Sequence, residues 1–378
     1  MNYNQWAEET MQRILKKLDK TSVQIGARCP HKTEGGEFNE EGISWWTNGF
    51  WPGVLWLSYI MTKDEKYSNT AKKIEENLDT VLDEFDRVDH DAGFLWLLSS
   101  GANYMLNNDA KSRCRLLKAA SFLAARFNMK GRFIRAWNTE KGWAIIDCMM
   151  NLPLLYWASN ELDDPRFKFV AQEHIETVIK YFIRNDGSVN HIVTFNHETG
   201  EHLGPLGGQG AAPDSAWSRG TAWAIYGFAL AYRHLGDERL LETSKKVANF
   251  FIANLPEDMV AHWDFRVERN AQTPRDTSAA ACSACGLLEL AELVGGTEGE
   301  NYKEKAYLIL RSLTDNYSNL NNEEDQALLF GGTINAPMDY GIGVGLIYGD
   351  YFYMEAICRL MGNKEIFWYS SPKNDKTC

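Results

Sequence analysis

The sequence predicts an all-α fold, an (α/α)6 barrel of six inner and six outer helices in which residues 1–378 form one domain. Three observations lead there. Helical apolar spacing runs from end to end, whereas strand signals are weak. A helix, a short polar turn and a second helix recur in that order six times, at intervals of about 45 to 75 residues. The helices before the turns are apolar nearly all round, and those after them carry a charged face.

The turns read MTKDEKY (61–67), LNNDAK (106–111), ELDDPRF (161–167), LGDERLL (235–241), VGGTEGENY (294–302) and MGNKEIF (361–367). Asp, Asn and Gly suit such positions because they cap helix ends and tolerate turn dihedrals. The preceding helices read FWPGVLWLSYIM, FLWLLSSGANYML, LPLLYWASNEL, WAIYGFALAYRHL, ACSACGLLELAELV and LIYGDYFYMEAICRLM, and belong inside. KYSNTAKKIEENL and RLLETSKKVANFF, with their charged faces, belong outside. An open solenoid of six hairpins is the alternative architecture. Closure is favoured because the inner helices are too apolar for an exposed concave face.

Composition narrows the function. A formal charge of −12 lacks the basic footprint of a nucleic-acid binder, so no nucleic-acid partner is expected. An anionic substrate remains compatible, because local Arg and His decide that. Seven scattered cysteines suit a reduced, cytoplasmic protein. Cys282 and Cys285 lie in a small-residue helical run and read as packing residues. The first helix is charged throughout and no stretch reads as membrane-spanning, so no membrane partner is expected and a substrate must be small enough to be imported. The abundant aromatics (13 Trp, 16 Tyr, 18 Phe) suit both a thick core and a cleft that stacks on sugar faces.

A polar and aromatic cluster lies before or at the start of each inner helix: SWWTNGFW (44–51), DHDAGF (89–94), WAIIDCMMN (143–151), DSAWSRGTAW (214–223), RDTSAA (275–280) and PMDYGIG (337–343). Parallel inner helices bring these clusters together as a funnel. Capping explains one polar residue per helix but not the added Trp, Arg and His. Asp147 sits among apolar neighbours that raise a carboxyl pKa, as a general acid requires. A buried structural acid is the other reading. Asp91 precedes a helix, where capping and catalysis are both open. Two carboxylates facing across a sugar are the common glycosidase arrangement, so the pair weighs more than either member. His191, Gln209, Arg219 and Trp223 fall in a long Gly-rich insertion that reads as irregular loop. Arg219 is suited to pair with a substrate carboxylate, or else forms a structural ion pair. His197, His202 and His262 have no metal-ligand spacing, so no metal site is expected.

The segments WTNGFWPGVLWL, DHDAGFL, IIDCMMNLPLLYWA, SRGTAWAIYGFALAYRHLGD, RDTSAAA and GDYFYMEAICRL resemble, in order and over most of the chain, the unsaturated glucuronyl hydrolases of glycoside hydrolase family 88. The resemblance implies an (α/α)6 barrel, no cofactor or metal, and hydrolysis that begins by hydrating the vinyl ether of a 4,5-unsaturated uronic acid, the sugar that polysaccharide lyases leave at the non-reducing end. It also implies the roles. Asp147 matches the general acid and base, and Asp91 the second essential aspartate. His90, His191, Gln209, Arg219 and Trp223 match substrate-contacting positions, and Trp46 and Trp137 the aromatic walls. Where the family member compared has two histidines before the first aspartate, Asp89-His90-Asp91 has one.

The tail WYSSPK contains Ser371 and Lys373, half of a Ser-x-x-Ser-x-Lys pattern with which relatives hold sulfate, because Trp368 stands at the first Ser position. This leans toward glycosaminoglycan disaccharides from chondroitin or hyaluronan, and a solvated tail explains it equally. The expected partner is an unsaturated uronic-acid disaccharide or oligosaccharide, acted on by a monomer or homodimer. Three alternatives stay open: unsaturated rhamnogalacturonyl hydrolysis on the same fold, an ordinary inverting glycosidase, and a non-catalytic sugar-binding toroid.

Overall fold

The computed structural model describes residues 3–84 and 87–369. Five of the six predicted hairpins are present. The inner helices are α2 (Phe50–Thr62), the pair α5 (Ala92–Trp96) and α6 (Ala102–Asn107), α8 (Pro153–Leu162), α10 (Ser218–Leu235), α12 (Thr277–Val294) and α14 (Ile347–Leu360). A π-helical turn, Leu97–Gly101, joins α5 to α6. The outer helices α3 (Glu65–Asn77), α7 (Ala110–Ala125), α9 (Arg166–Tyr181), α11 (Glu238–Ala253) and α13 (Gly296–Asn316) follow five of them, with α4 (Asp79–Asp83) a short continuation of α3.

The sixth outer helix is not the one expected. No helix follows the turn at 361–367 among the described residues. Instead α1 (Tyr3–Ile25) packs on α14 through an apolar stripe that includes Ala7, Met11, Ile14 and Leu18. The inner ring closes: α2 meets the π turn, α5 meets α8, then α8 meets α10, α10 meets α12, α12 meets α14, and α14 returns to α2. An open solenoid lacks that last contact.

The polar turns behave as their residues predict. Lys63, Asn108, Asp163 and Gly236 end inner helices in the left-handed conformation, with φ of 58°, 52°, 52° and 68°. Asp64, Asp109 and Asp237 then cap the outer helices, accepting the backbone N–H of Lys66, Ser112 and Arg239. These tight turns all lie at one end of the ring. The long outer-to-inner connections lie at the other, and hold short antiparallel strands that the sequence did not reveal.

Strand β1 (Pro30–Glu34) pairs with β2 (Glu37–Glu40), and β3 (Phe127–Asn128) with β4 (Phe133–Ile134). β5 (Trp143–Ile145), β6 (Ile192–Phe195) and β7 (His202–Leu206) form a three-stranded sheet. β8 (Gly332–Asn335) pairs with β9 (Tyr340–Val344). The Gly-rich insertion is therefore partly a sheet. PMDYGIG lies in the hairpin that precedes α14, and α14 begins at Ile347, next to the expected Leu346. Among the described residues no strand exceeds five residues, too short for a two-residue period to stand out.

Helix α12 has the length and apolarity to cross a membrane, contrary to the sequence reading, but 78% of that stretch is buried between its neighbours. Its Cys285 donates its thiol to the Phe352 carbonyl at 3.1 Å, which bears out packing as the role of that pair.

Candidate active site

The inner helices run in parallel, so their N-terminal ends converge where the long connections lie. Asp91 immediately precedes α5, and Asp147 lies in a 3-10 turn (Ile146–Met150) that leads into α8. Asn151 joins them. Its Nδ2 donates to Asp91 Oδ1 at 3.1 Å and to the Asp147 carbonyl at 3.3 Å, while its Oδ1 accepts the Phe94 N–H at 2.8 Å. Gly93 makes this approach possible, because a Cβ there would lie 2.5 Å from the Asn151 Cα. Asn151 was visible in the sequence at the end of IIDCMMN, but nothing marked it as the bridge. Asn151→Ala removes three hydrogen bonds from a fully buried site, and about 2–3 kcal/mol of destabilisation is expected in urea titrations.

Burial pushes the Asp147 carboxyl up to about 7, against a lowering pull from Arg219. Its Oδ1 is buried with no hydrogen-bond partner. His191 Nε2 lies 3.7 Å from that oxygen. His191 Nδ1 accepts the Gln209 N–H at 2.9 Å, so a neutral ring carries its proton on Nε2 and aims it at Asp147. Burial, helped by Arg219, holds the ring neutral by lowering its pKa to about 3. Gly208 permits the crossing, since a Cβ there would lie 2.2 Å from His191 Nδ1.

Asp91 and His90 form a second acid–imidazole pair with reversed polarity. His90 Nδ1 lies 3.0 Å from the Ala136 carbonyl, which can only accept, so a neutral ring has its lone pair at Nε2. That Nε2 is 3.2 Å from Asp91 Oδ1. Burial, with Asp89 and Asp147 nearby, pushes the Asp91 carboxyl well up, and burial with Arg126 lowers His90 to about 3. Burial thus opposes ionisation of both members of the pair. Capping does not explain Asp91, whose side chain makes no cap hydrogen bond to its helix.

A raised carboxyl is not by itself a mark of catalysis. Asp350 is pushed up to about 8 by burial, yet its oxygens accept the Leu328 and Leu329 N–H groups. Asp147 differs because its Oδ1 is left over. Asp89, His90 and Asp91 also place possible metal-ligand atoms within 4.8 Å of one another. Asp89 Oδ1 already accepts the Asp91 N–H, and His90 Nδ1 faces a carbonyl, so the triad offers a poor donor set.

Arg219 corrects the expectation that it grips a substrate carboxylate. It is buried, and its terminal nitrogens donate to Asp276, the Thr333 carbonyl, Gln209 Oε1 and the Ile334 carbonyl, so both are fully engaged. The structural ion pair is the reading that holds. Through it Arg219 ties α10 to α12 and β8, and sets the field at Asp147. Trp223 also differs from expectation. It has no exposed surface and packs against Phe94 and Phe352, so it lies in the core rather than at a substrate-contacting surface. Trp46 is half-buried against Phe50, Phe94 and Tyr348, and Trp137 stands 6.1 Å from His90. Tyr348, in the first turn of α14, lies 5.4 Å from the Arg219 guanidinium; within the apolar run LIYGDYFYM nothing in the sequence set it apart from a core residue. Ser371 and Lys373 lie outside the described residues. The chain before them, Trp368 and Tyr369, is held by Glu355, Glu289 and Arg359 toward the C-terminal ends of α12 and α14, opposite Asp147.

Comparisons with known proteins bear on the family and the fold. The chain is 37% identical over 359 residues to the unsaturated glucuronyl hydrolase of Bacillus sp. (strain GL1), covering 91% of this chain and 94% of that one. It is 35% identical over 370 residues to the unsaturated chondroitin disaccharide hydrolase of Streptococcus agalactiae serotype III (strain NEM316), covering 96% and 93%. The crystal structure of the Bacillus sp. GL1 enzyme superposes with a TM-score of 0.93 at 34% identity, over 96% of this chain and 99% of that one. The model of Glycosyl Hydrolase Family 88 matches residues 6–359. The chain, with its closed ring of helices and its two aspartates at one end, belongs to Glycosyl Hydrolase Family 88.

Proposed function

We propose that the protein releases 4,5-unsaturated uronic acid from the non-reducing end of lyase-generated disaccharides, with Asp147 as proton donor. The observation that carries this reading is the buried, unpartnered Oδ1 of Asp147 on a carboxyl that stays protonated up to about pH 7. The substrate class is supported by the Streptococcus agalactiae unsaturated glucuronyl hydrolase, crystallised in aspartate-to-asparagine forms. One such mutant was crystallised with dGlcA-GalNAc6S.

Asp147 delivers its proton to C4 of the double bond, and positive charge develops at C5 and the ring oxygen. A neutral alkene becomes a cation in this step, so the acid must be protonated beforehand. The Asp147 carboxylate left behind stabilises the cation and accepts the proton of the water that adds to C5. The resulting hemiketal opens to the 5-ketone, and its former ring oxygen stays on C1 as a hemiacetal, which collapses and releases the aglycone. His191 Nε2–H steadies the carboxylate once the proton has left. Asp91, held by Asn151 beside His90, orients substrate hydroxyls and water. Trp46 and Trp137 flank the sugar.

The acid form of Asp147 is the active one and is lost as pH rises through its raised pKa. The rate is therefore expected to fall on the alkaline side with a midpoint near pH 7, measured as kcat against pH. Incubation with unsaturated chondroitin and hyaluronan disaccharides tests the substrate. Loss of the double-bond absorbance with these, and no cleavage of a saturated glucuronide, is the expected result. Cleavage of the saturated glycoside overturns the reading. The six described cysteines are free, in keeping with action in the cytoplasm on imported saccharides.

A further inference from the structure

The chain carries a net charge of −12, yet residues 126–141 hold Arg126, Lys130, Arg132, Arg135 and Lys141 against a single Glu140. This segment forms the β3–β4 hairpin and its continuation. It walls a cleft of about 270 Å³ lined by Arg126, Arg135, Lys141 and His197, the amides Asn128 and Asn138, and an apolar floor that includes Phe122 and Phe127. No carboxylate lines it. Arg126 and Arg135 are cross-strand neighbours, since the Arg135 N–H donates to the Arg126 carbonyl and Arg126 Nε donates to the Arg135 carbonyl. Like charges so placed repel unless something balances them. Asp89 faces Arg126 from the far side, and no ion pair within 4.0 Å engages Arg135 or Lys141 among the described residues. The Arg135 Nε is buried without a hydrogen-bond partner.

Arg126 spends its donors on the Arg135, Val88 and Ala136 carbonyls and on Asn138 Oδ1, so it adds charge rather than a grip. Arg135 and Lys141, an orphan donor and no acid give the concave lining the chemistry of an oxyanion receptor. We propose that this cleft is a second, non-catalytic site that binds an oxyanion, the sulfate or carboxylate of an acidic saccharide or the same group as a free ion. It adjoins the catalytic pair across one carbonyl. Ala136 O accepts Arg126 Nη2 at 2.8 Å and His90 Nδ1 at 3.0 Å, so occupancy is felt at Asp91 through that shared acceptor.

Thermal melts of the full chain in sodium sulfate, against sodium chloride of equal ionic strength, test this. At about ten times Kd the wild type is expected to melt about 2 °C higher in sulfate than Arg135→Gln or Lys141→Gln does, each measured against its own chloride control. A general salting effect shifts all three equally, and that result overturns the proposal. A selenate soak locates the ion directly: an anomalous peak within reach of Arg135 is expected, and its absence from the cleft overturns the proposal. The source follows from repeating the melts with a saturated chondroitin tetrasaccharide. A shift at tenfold lower concentration than sulfate, lost in Arg135→Gln, assigns the site to the saccharide, and a weaker one assigns it to the free ion.

Discussion

Asp147→Asn is expected to lower turnover by about 10³–10⁴-fold, because the same carboxyl serves as acid to C4 and base to water. The variant should also be more stable than the wild type in alkaline solution. In the native state burial raises the carboxyl to about 7, whereas the unfolded chain ionises near the ordinary carboxylate value. The native state therefore binds a proton more tightly, and the wild type loses stability as pH rises between those values. An amide has no such cost. The gain should be absent at pH 4, grow through pH 7, and reach a ceiling of roughly 4 kcal/mol. Thermal melts of both proteins from pH 4 to 9 measure it, alongside single-turnover assays. A dead enzyme that is also less stable at pH 8 points to a structural acid instead.

The largest loss of stability is expected from Arg219→Met. Asp276 has no exposed surface and keeps only Ser278 and the Ala279 N–H as partners once the guanidinium is gone. The Thr333 and Ile334 carbonyls lose their donor in the same change. Breaking a buried ion pair from one side costs about 3–5 kcal/mol, and a further Asp276→Asn change should recover part of it. Urea titrations of both variants check this. Arg219 also lowers the pKa of Asp147, so the alkaline fall in kcat should move above pH 7 in the folded fraction of the single variant. An unchanged profile separates the guanidinium from the site's electrostatics.

The ring of helices was legible because its signals are long. Inner helices such as α10 and α12 run 18 residues and are mostly apolar or small along their length, and the Asp and Gly of each turn act locally. The sixth outer helix was misplaced because closure is a property of the whole ring, and nothing in MNYNQWAEET marks it as the partner of a helix more than 340 residues later. The proposed catalytic pair was legible for another reason. An acid inside WAIIDCMM has neighbours that desolvate it wherever the fold takes it. What escaped notice depends on tertiary geometry alone. Asn151 gains its role only when α5 and α8 pack side by side, and Arg219 loses its freedom only when Asp276 and the β8 carbonyls surround it. The short strands were hidden because pairing across a few residues leaves almost no period to read.

The most direct test follows one reaction by two readouts from its first seconds. Double-bond absorbance and free aglycone are recorded together on an unsaturated chondroitin disaccharide. Hydration led by Asp147 predicts that absorbance falls one-for-one with aglycone release, without a lag, and that both signals stay flat in Asp147→Asn. Aglycone release while the absorbance persists would contradict it, because the glycosidic bond would then be breaking at the anomeric carbon with the alkene intact.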